Sequence, residues 1–436
     1  MKIGVGAGFS GDRLDAAEKL LEKVDLDYIV FECLAERTIA LAQYKKLKNK
    51  KSGYDPLLEK RMKRILPLLI EKNVRLITNM GAANPIAAGE KIIEVAEKLG
   101  ISCKIAIVTG DNVLNKVDLN NVALESGIPL RSYGEIISAN AYLGIEALLP
   151  ALKSEANIII TGRVADPSLF LAPQVYHFGW SLDDYQLLGQ GTAVGHLLEC
   201  GAQVSGGYFG DTRKKHVENL VNVGLPYADI NKEGLATIRK GRETGGLINL
   251  RTVKEQLLYE VHDPSKYITP DVVADFTNIT LLNLEDNVVS VTGGGGSPRP
   301  DRLKVSVGYH AGYVGEGEIS YAGSDALDRA KLSKDIIEKR LQGMFDDFRL
   351  DLIGYSATHR KVFQKNSPYE VRLRVIGRHD SREIAELIGE EVEALYLNGP
   401  AAGGGVRKGV HASIGIVSTT ISRELIEPKV EILESR

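Results

Sequence analysis

The sequence predicts an α/β protein: an N-terminal doubly wound, mostly parallel sheet, followed by a mixed α+β region and a small C-terminal α/β unit. Two features of the residue order predict it. Through the first third, short Val- and Ile-rich runs alternate with amphipathic stretches that carry apolar residues every three or four positions. Beyond about Tyr176 the runs follow one another with few helical stretches between them, which predicts antiparallel pairing. The 436 residues suffice for roughly three domains of about 150 residues each. The expected organisation is a Rossmann-like domain over 1–200, a mixed region over 201–365 and a small unit over 366–436 packed on the rest.

The first strands are expected at Lys2–Ala7, Asp27–Phe31, Val74–Thr78, Lys104–Val108 and Asn157–Thr161. Each is short enough and apolar enough to be buried on both faces. Between them Arg13–Lys23, Arg61–Lys72, Pro85–Leu99 and Gly144–Lys153 read as helices, and crossovers of that length favour a doubly wound sheet over a barrel. Further on, Leu187–Cys200 and Gly234–Lys240 read as helices, and Val253–Val261 fits either period. Val272–Phe276, Ile279–Leu284, Val288–Thr292 and Leu303–Tyr309 read as strands. The last part predicts a strand at Tyr369–Ile376, a helix opened by Asp380-Ser381, a glycine-rich loop and a strand at Ala412–Ser418.

With 54 Lys and Arg against 57 Asp and Glu the net charge is −3. That balance argues against nucleic-acid or membrane-surface binding through bulk charge. No apolar run approaches the roughly 20 residues that span a bilayer, and the first residues carry no secretory pattern. A cytoplasmic location is expected. Cys33, Cys103 and Cys200 are far apart and odd in number, forming neither a disulfide framework nor a CxxC clip.

In a parallel sheet the ligand crevice lies beyond the carboxyl ends of the strands, so the residues after each strand carry the functional reading. They are polar here: Gly8 and Asp12 after the first, Glu32 and Glu36 after the second, Asn79 and Asn84 after the third, Asp111 after the fourth, Arg163 and Asp166 after the fifth. Glu32, Glu36, Asp111 and Asp166 are the candidate acids and bases. Gly8, Asp12, Asn79, Asn84 and Arg163 are candidate substrate-binding residues. Asp12, Asn84 and Asp166 read equally well as helix N-caps. Gly6-x-Gly8-x-x-Gly11 with Glu32 downstream fits a dinucleotide fingerprint, which leaves a nucleotide or coenzyme A site open, but Asp12 places a carboxylate where phosphate would sit.

Two glycine loops end in arginine. Thr292–Arg302 carries Gly294, Gly295 and Arg299; Asn398–Arg407 carries Gly404 and Arg407. Backbone amides beside a guanidinium suit a carboxylate or phosphate, and the same glycines suit plain turn geometry. His196, Glu199 and Cys200 share a helical face, a spacing compatible with one metal or with a packed helix. No second ligand cluster accompanies them, so no metal ligand is assigned, while a divalent metal stays open. Ser-His-Asp, nucleophile-elbow and Walker patterns are absent from the sequence.

Several dispersed motifs occur in one order: Gly6-x-Gly8-Phe9-x-Gly11-Asp12-Arg13, Leu26–Glu32 with Leu34-Ala35-Glu36, Thr78-Asn79-x-Gly81-x-x-Asn84-Pro85, Gly110-Asp111, Thr161-Gly162-Arg163-x-x-Asp166 and Asn398-Gly399-Pro400-Ala401-x-Gly403-Gly404-Gly405. Together they resemble the acyclic terpene utilisation AtuA family along nearly the whole chain. The resemblance implies metabolism of a small branched or hydroxylated carboxylate or its coenzyme A thioester. Joined to the acidic rim, it leads to the expectation of a lyase or hydro-lyase using acid/base chemistry, with Arg299 or Arg407 on the anionic end. Longer relatives carry an additional ferredoxin-like domain after the matched region. The resemblance therefore also admits a binding or scaffold subunit that needs a separate small ferredoxin-like partner chain. A homo-oligomer is expected on general grounds.

Overall fold

The computed structural model describes residues 1–362 and 367–435. Contacts divide the chain into two units, one of Met1–Leu130, Ile137–Gly308 and Ile416–Arg436, the other of Arg131–Ile136 and Tyr309–Gly415. The boundary expected between residues 365 and 366 lies outside the described residues.

The larger unit opens with β1 (Lys2–Ala7), α1 (Asp15–Lys23), β2 (Tyr28–Phe31), α2 (Glu36–Lys48), α3 (Leu58–Glu71), β3 (Arg75–Thr78), α4 (Pro85–Leu99) and β4 (Lys104–Thr109). It continues through β5 (Ile136–Ala141), α5 (Ile145–Lys153), β6 (Ile158–Thr161), α6 (Asp166–Phe178) and α7 (Tyr185–Glu199). β1, β2, β3, β6 and β4 lie side by side in that order and are parallel throughout. All five expected parallel strands are present, within a residue or two of their predicted ends.

Their two-residue period sorts side chains onto two faces. Ile3, Val5, Val30, Ile77 and Ile159 join a core that includes α5, α6 and α7, whereas Ile29, Phe31, Leu76, Ile158 and Ile160 join one with α1, α3 and α4. The sheet is therefore covered by helices on both sides, as expected. Each of these fully buried side chains contributes about 1.5–3 kcal/mol relative to exposure.

The chain then forms β7 (Pro226–Ile230), β8 (Ala236–Lys240), α8 (Leu250–Leu257), β9 (Tyr267–Ile268), β10 (Val273–Asp275), β11 (Thr280–Glu285), β12 (Val288–Thr292) and β13 (Gly295–Ser297). The antiparallel run β11-β12-β8-β7 continues the first sheet beyond β1, giving a ten-stranded mixed sheet. The helix expected over Gly234–Lys240 is corrected by the strand β8. Ala236 and Ile238 alternate with Thr237 and Arg239, and Ile238 pairs with both Ala228 and Val289. Of the segment that fitted either period, residues 253–257 are helical and end α8, which a capping box between Asn249 and Thr252 opens, and residues 258–261 form a turn.

The smaller unit holds most of β14 (Arg302–Ala322), then α9 (Ala326–Arg340), β15 (Asp347–Ile353), β16 (Glu370–His379), α10 (Arg382–Asn398) and the first part of β17 (Gly404–Ser422). Strand order β15-β16-β14-β17 with this β-α-β-β-α-β succession is the split βαβ, or ferredoxin-like, topology. Ile319, Tyr321, Val371, Leu373 and Val375 face α9 and α10, with Ile337, Ile388 and Val392 among the helix residues they meet. The opposite face carries cross-strand pairs, Arg372 with Glu318 at 3.2 Å and Arg374 with Glu316 at 2.6 Å. A ferredoxin-like topology is thus present within residues 309–415, inside the region that the sequence motifs span. A last strand, β18 (Lys429–Glu434), returns to the larger unit and pairs antiparallel with β4.

The glycine loop after β12 is largely structure. Gly295–Ser297 pairs with Val273–Asp275, and α7 approaches it so closely that a Cβ on Gly189 would sit 1.9 Å from the Gly295 oxygen. Gly189→Ala should therefore separate α7 from β13 and cost about 1–3 kcal/mol, read as a lower Tm in calorimetry; an unchanged Tm would show that this approach is looser than described.

Candidate functional site

At the carboxyl ends of the parallel strands the loops converge on Arg163, which is fully buried. Its Nε and Nη2 donate to the Val164 carbonyl at 3.1 and 2.7 Å, Nη1 to the Leu34 carbonyl, and Nη2 also to the Asp166 carboxylate. The guanidinium lies 4.5 Å from the Tyr142 ring centre. Arg163 therefore ties the loop after β2 to the loop after β6 and leaves little donor capacity for a ligand.

Glu32 and Asp111 are also buried and internally bonded. Glu32 Oε1 accepts from the Leu34 amide at 2.8 Å and from Asn79 Nδ2 at 2.9 Å, while Asn79 Oδ1 accepts from the Cys33 amide. Burial, with the Asp166 charge nearby, pushes the Glu32 carboxyl well above its usual range. Asp111 Oδ2 accepts from Asn140 Nδ2 at 2.8 Å and the Arg163 amide at 3.0 Å; burial raises its proton affinity against those bonds.

Glu36 and Asp166 line a cavity of about 260 Å³ together with Tyr142, Glu260, Tyr267, Arg302 and Lys304, and with Pro167, Pro270 and Pro300 as apolar walls. Tyr142 follows β5, which pairs with β14: the Tyr142 amide donates to the Lys304 carbonyl at 2.9 Å, setting both side chains at the same place. Glu36 Oε1 accepts from the Tyr142 hydroxyl at 2.6 Å and Lys304 Nζ at 3.1 Å. Partial burial pushes its carboxyl up, but the phenol and the Lys304 charge outweigh that and hold it down at about 2. Asp166 goes the other way, since burial raises it in spite of Arg163. One cavity thus contains a carboxyl held in its charged form and a second whose proton affinity is raised from the ordinary aspartate range.

The other expected residues lie elsewhere or serve the frame. Asp12, Asn84 and Asp166 accept no capping bond from their helices. Asp12 Oδ2 accepts from the Gly8 amide at 3.0 Å, and Asn84 Nδ2 donates to the carbonyls of Lys50 and Ser52. A Cβ on Gly8 would lie 2.4 Å from the Cys200 carbonyl carbon and the Gly201 nitrogen. Gly8 therefore makes room for protein backbone, Gly6 and Gly11 lie against the rings of Phe31 and Phe9, and the Gly8 amide is already taken by Asp12. Buried Arg61 binds the carbonyls of Phe9, Ser10 and Asp12, closing the turn from the other side.

Gly294 donates to Gln190 Oε1 and accepts from Gln186 Nε2, and Arg299 pairs with Glu146 at 2.5 Å. Gly404 and exposed Arg407 belong to the smaller unit. Among the described residues no group of three or more His, Cys, Asp or Glu is arranged to hold a metal ion, and no helix is long and apolar enough to cross a membrane. Tyr142, Lys304, Tyr267 and Glu260 were not singled out from sequence. For Lys304 a signal existed, because Arg302 and Lys304 alternate with Leu303 and Val305 at the start of β14.

These features define an α/β protein with an acidic cavity at the carboxyl ends of a parallel sheet. A family model described as acyclic terpene utilisation family protein AtuA matches residues 1–432. The chain belongs to that family, and no solved structure is a match for it.

Arg163→Ala would strand Asp166 and two loop carbonyls, so a loss of about 3–5 kcal/mol in denaturant unfolding is expected; a loss below 1 kcal/mol would remove Arg163 from its place as the tie. Tyr142→Phe tests the Glu36 pair. A carboxyl whose folded pKa is depressed stabilises the fold above its unfolded value, and that gain disappears as pH falls through the folded value. The wild type should exceed Tyr142→Phe by about 1 kcal/mol at neutral pH, allowing for solvent screening of a half-exposed pair. The difference should shrink below about pH 4.5, and a pH-independent difference would mean the phenol does not hold Glu36 ionised.

Proposed function

We propose that the protein is an enzyme of the lyase or hydro-lyase type that acts on a small branched or hydroxylated carboxylate, or on the acyl part of its coenzyme A thioester, by acid/base chemistry. The observation that carries this reading is the divergence of two carboxyls in one cavity, Asp166 raised and Glu36 held at about 2. Asp166 is raised from its ordinary range while Glu36 is lowered, so of the two carboxyls Asp166 is the candidate acid and base. Glu36 is too weak a base to take a proton from carbon. Its role is to stay charged and to orient the Tyr142 hydroxyl and Lys304.

In a dehydration, Asp166 in its protonated form gives its proton to the departing hydroxyl, water leaves, and the Asp166 carboxylate so formed takes the carbon proton as the double bond forms; hydration is the reverse. Lys304 and Arg302 favour the anionic end of a substrate at the cavity mouth. A cavity of about 260 Å³ suits a small acid or an acyl group and leaves the nucleotide part of a thioester outside. Glu32, Asp111, Asn79 and Arg163 support this arrangement from behind as parts of the frame. The family name, with its reference to terpene utilisation, agrees with a branched acid.

The reading is tested by screening the purified chain against branched and hydroxylated acids and their thioesters, first by thermal shift and then by turnover. Asp166→Asn should lower turnover by roughly 10²-fold or more in protein that circular dichroism shows to be folded, with a lower Tm because buried Arg163 loses its counter-charge, and Glu36→Gln should mainly weaken binding. Undiminished turnover in Asp166→Asn would overturn the assignment.

A further inference from the structure

We propose that Glu199, buried on α7 beside His196 and behind the cavity, is a positioning group for Asp166: its charge adds to those of Arg163, Glu36 and Lys304 in deciding how firmly the cavity acid keeps its proton, and Glu199 gains proton affinity as Asp166 becomes an anion. This rests on the reading of Asp166 as the cavity's acid.

The placement comes from helix packing. α7 crosses the start of α6 so closely that a Cβ on Gly195 would lie 2.7 Å from the Pro167 carbonyl oxygen, one residue beyond Asp166. His196 Nδ1 and Glu199 Oε1 are 2.8 Å apart, three residues along one helix face. The imidazole lies against two rings that also stack on each other, Tyr267 at 5.1 Å and Phe276 at 5.7 Å, and Tyr267 is itself a cavity wall. The pair is thus separated from the cavity by the Tyr267 ring on one side and the first turn of α6 on the other.

Structural packing alone leaves features of this pair unexplained. His196 Nε2 and Glu199 Oε2 are buried without a hydrogen-bond partner, as is Oε1 of Gln256, whose Nε2 donates to the His196 carbonyl at 3.0 Å. Each orphaned buried polar atom costs about 1–3 kcal/mol, and a helix face that needed only bulk would hold apolar residues there. The groups facing Glu199 are His196 and Cys200 on α7, Asp166 on α6, Tyr267 on β9 and Glu260 in the loop before it. Arg163, paired with Asp166, is the neighbouring fixed cation.

Burial lifts the Glu199 carboxyl to about 7, with His196 opposing the rise and the Asp166 and Glu260 charges adding to it. The sign of the coupling follows. An anionic Asp166 makes Glu199 hold its proton more firmly, and an anionic Glu199 does the same for Asp166. When the cavity acid surrenders its proton, Glu199 takes one from solvent more readily and limits the build-up of negative charge.

Carboxyl carbon NMR on the full chain, with 13C-labelled Asp and Glu and pH varied from 5 to 9, tests this without any substrate. In the wild type the Glu199 resonance should titrate with a midpoint of about 7. In Asp166→Asn that midpoint should fall by about half a unit or more. In Glu199→Gln the Asp166 midpoint should fall by a matching amount, because coupling between two proton sites is reciprocal. A Glu199 titration unmoved by Asp166→Asn would overturn the proposal, as would unequal reciprocal shifts. If Glu199→Gln does not fold, the Asp166→Asn arm decides alone, and if Asp166→Asn does not fold, the Glu199→Gln arm decides, an unmoved Asp166 midpoint overturning the proposal. The turnover assay on Asp166→Asn separately decides whether Asp166 is the acid, so the two ideas fail distinguishably.

Discussion

The arrangement of the cavity depends on one buried guanidinium. Parallel strands end in loops whose carbonyl groups have no ladder partner, and burial of such groups is costly unless donors reach them. Arg163 supplies those donors to Leu34 and Val164 at once and fastens Asp166 to the same point. Arg61 does the equivalent for the first loop, through three carbonyls. Both cations replace water at places where water is excluded, so neighbouring acids can be held at fixed positions in a dry setting.

Contrast between the acids then follows from what each is given. Glu36 receives a phenol and an ammonium and remains charged. Glu32 and Asp111 receive amide donors that do not overcome desolvation, and Asp166 receives a guanidinium that burial outweighs. Four carboxyls read alike from the sequence are thereby divided into frame members and cavity members. The division is made by partners contributed from distant segments, chiefly β5 and the start of β14.

This explains which parts were legible. The five parallel strands and the helices facing them announce themselves by local period and turn residues, and nearly all occur where expected. β8 was misread because five residues with two apolar positions fit either period, and its two neighbours in the sheet decided for strand. α6 was passed over because its apolar residues surround the helix and leave no polar stripe to mark a period: Leu169, Phe170, Leu171 and Ala172 are all buried in succession. The site was legible as a rim but not as a cavity. Which rim residues meet Tyr142 and Lys304 depends on β5 pairing with β14, a contact across more than a hundred residues that no local pattern encodes. The glycine loop after β12 admitted an anion site or a plain turn because glycine marks close approach without naming the partner, and there the partner is protein.

The strand β18 carries a consequence of another kind. It closes the outer edge of the larger unit's sheet at β4, and Ser435 bonds the Cys103 amide across a separation of 332 residues. During synthesis on the ribosome, β4 emerges early and stays without its neighbour while everything between is made, including the whole split βαβ unit. Contacts of such sequence separation slow folding, and an unpaired strand edge is a template for the wrong partner. The larger unit is consequently a structure completed last at a place begun among the first, and its nascent form presents an adhesive border that the finished protein conceals.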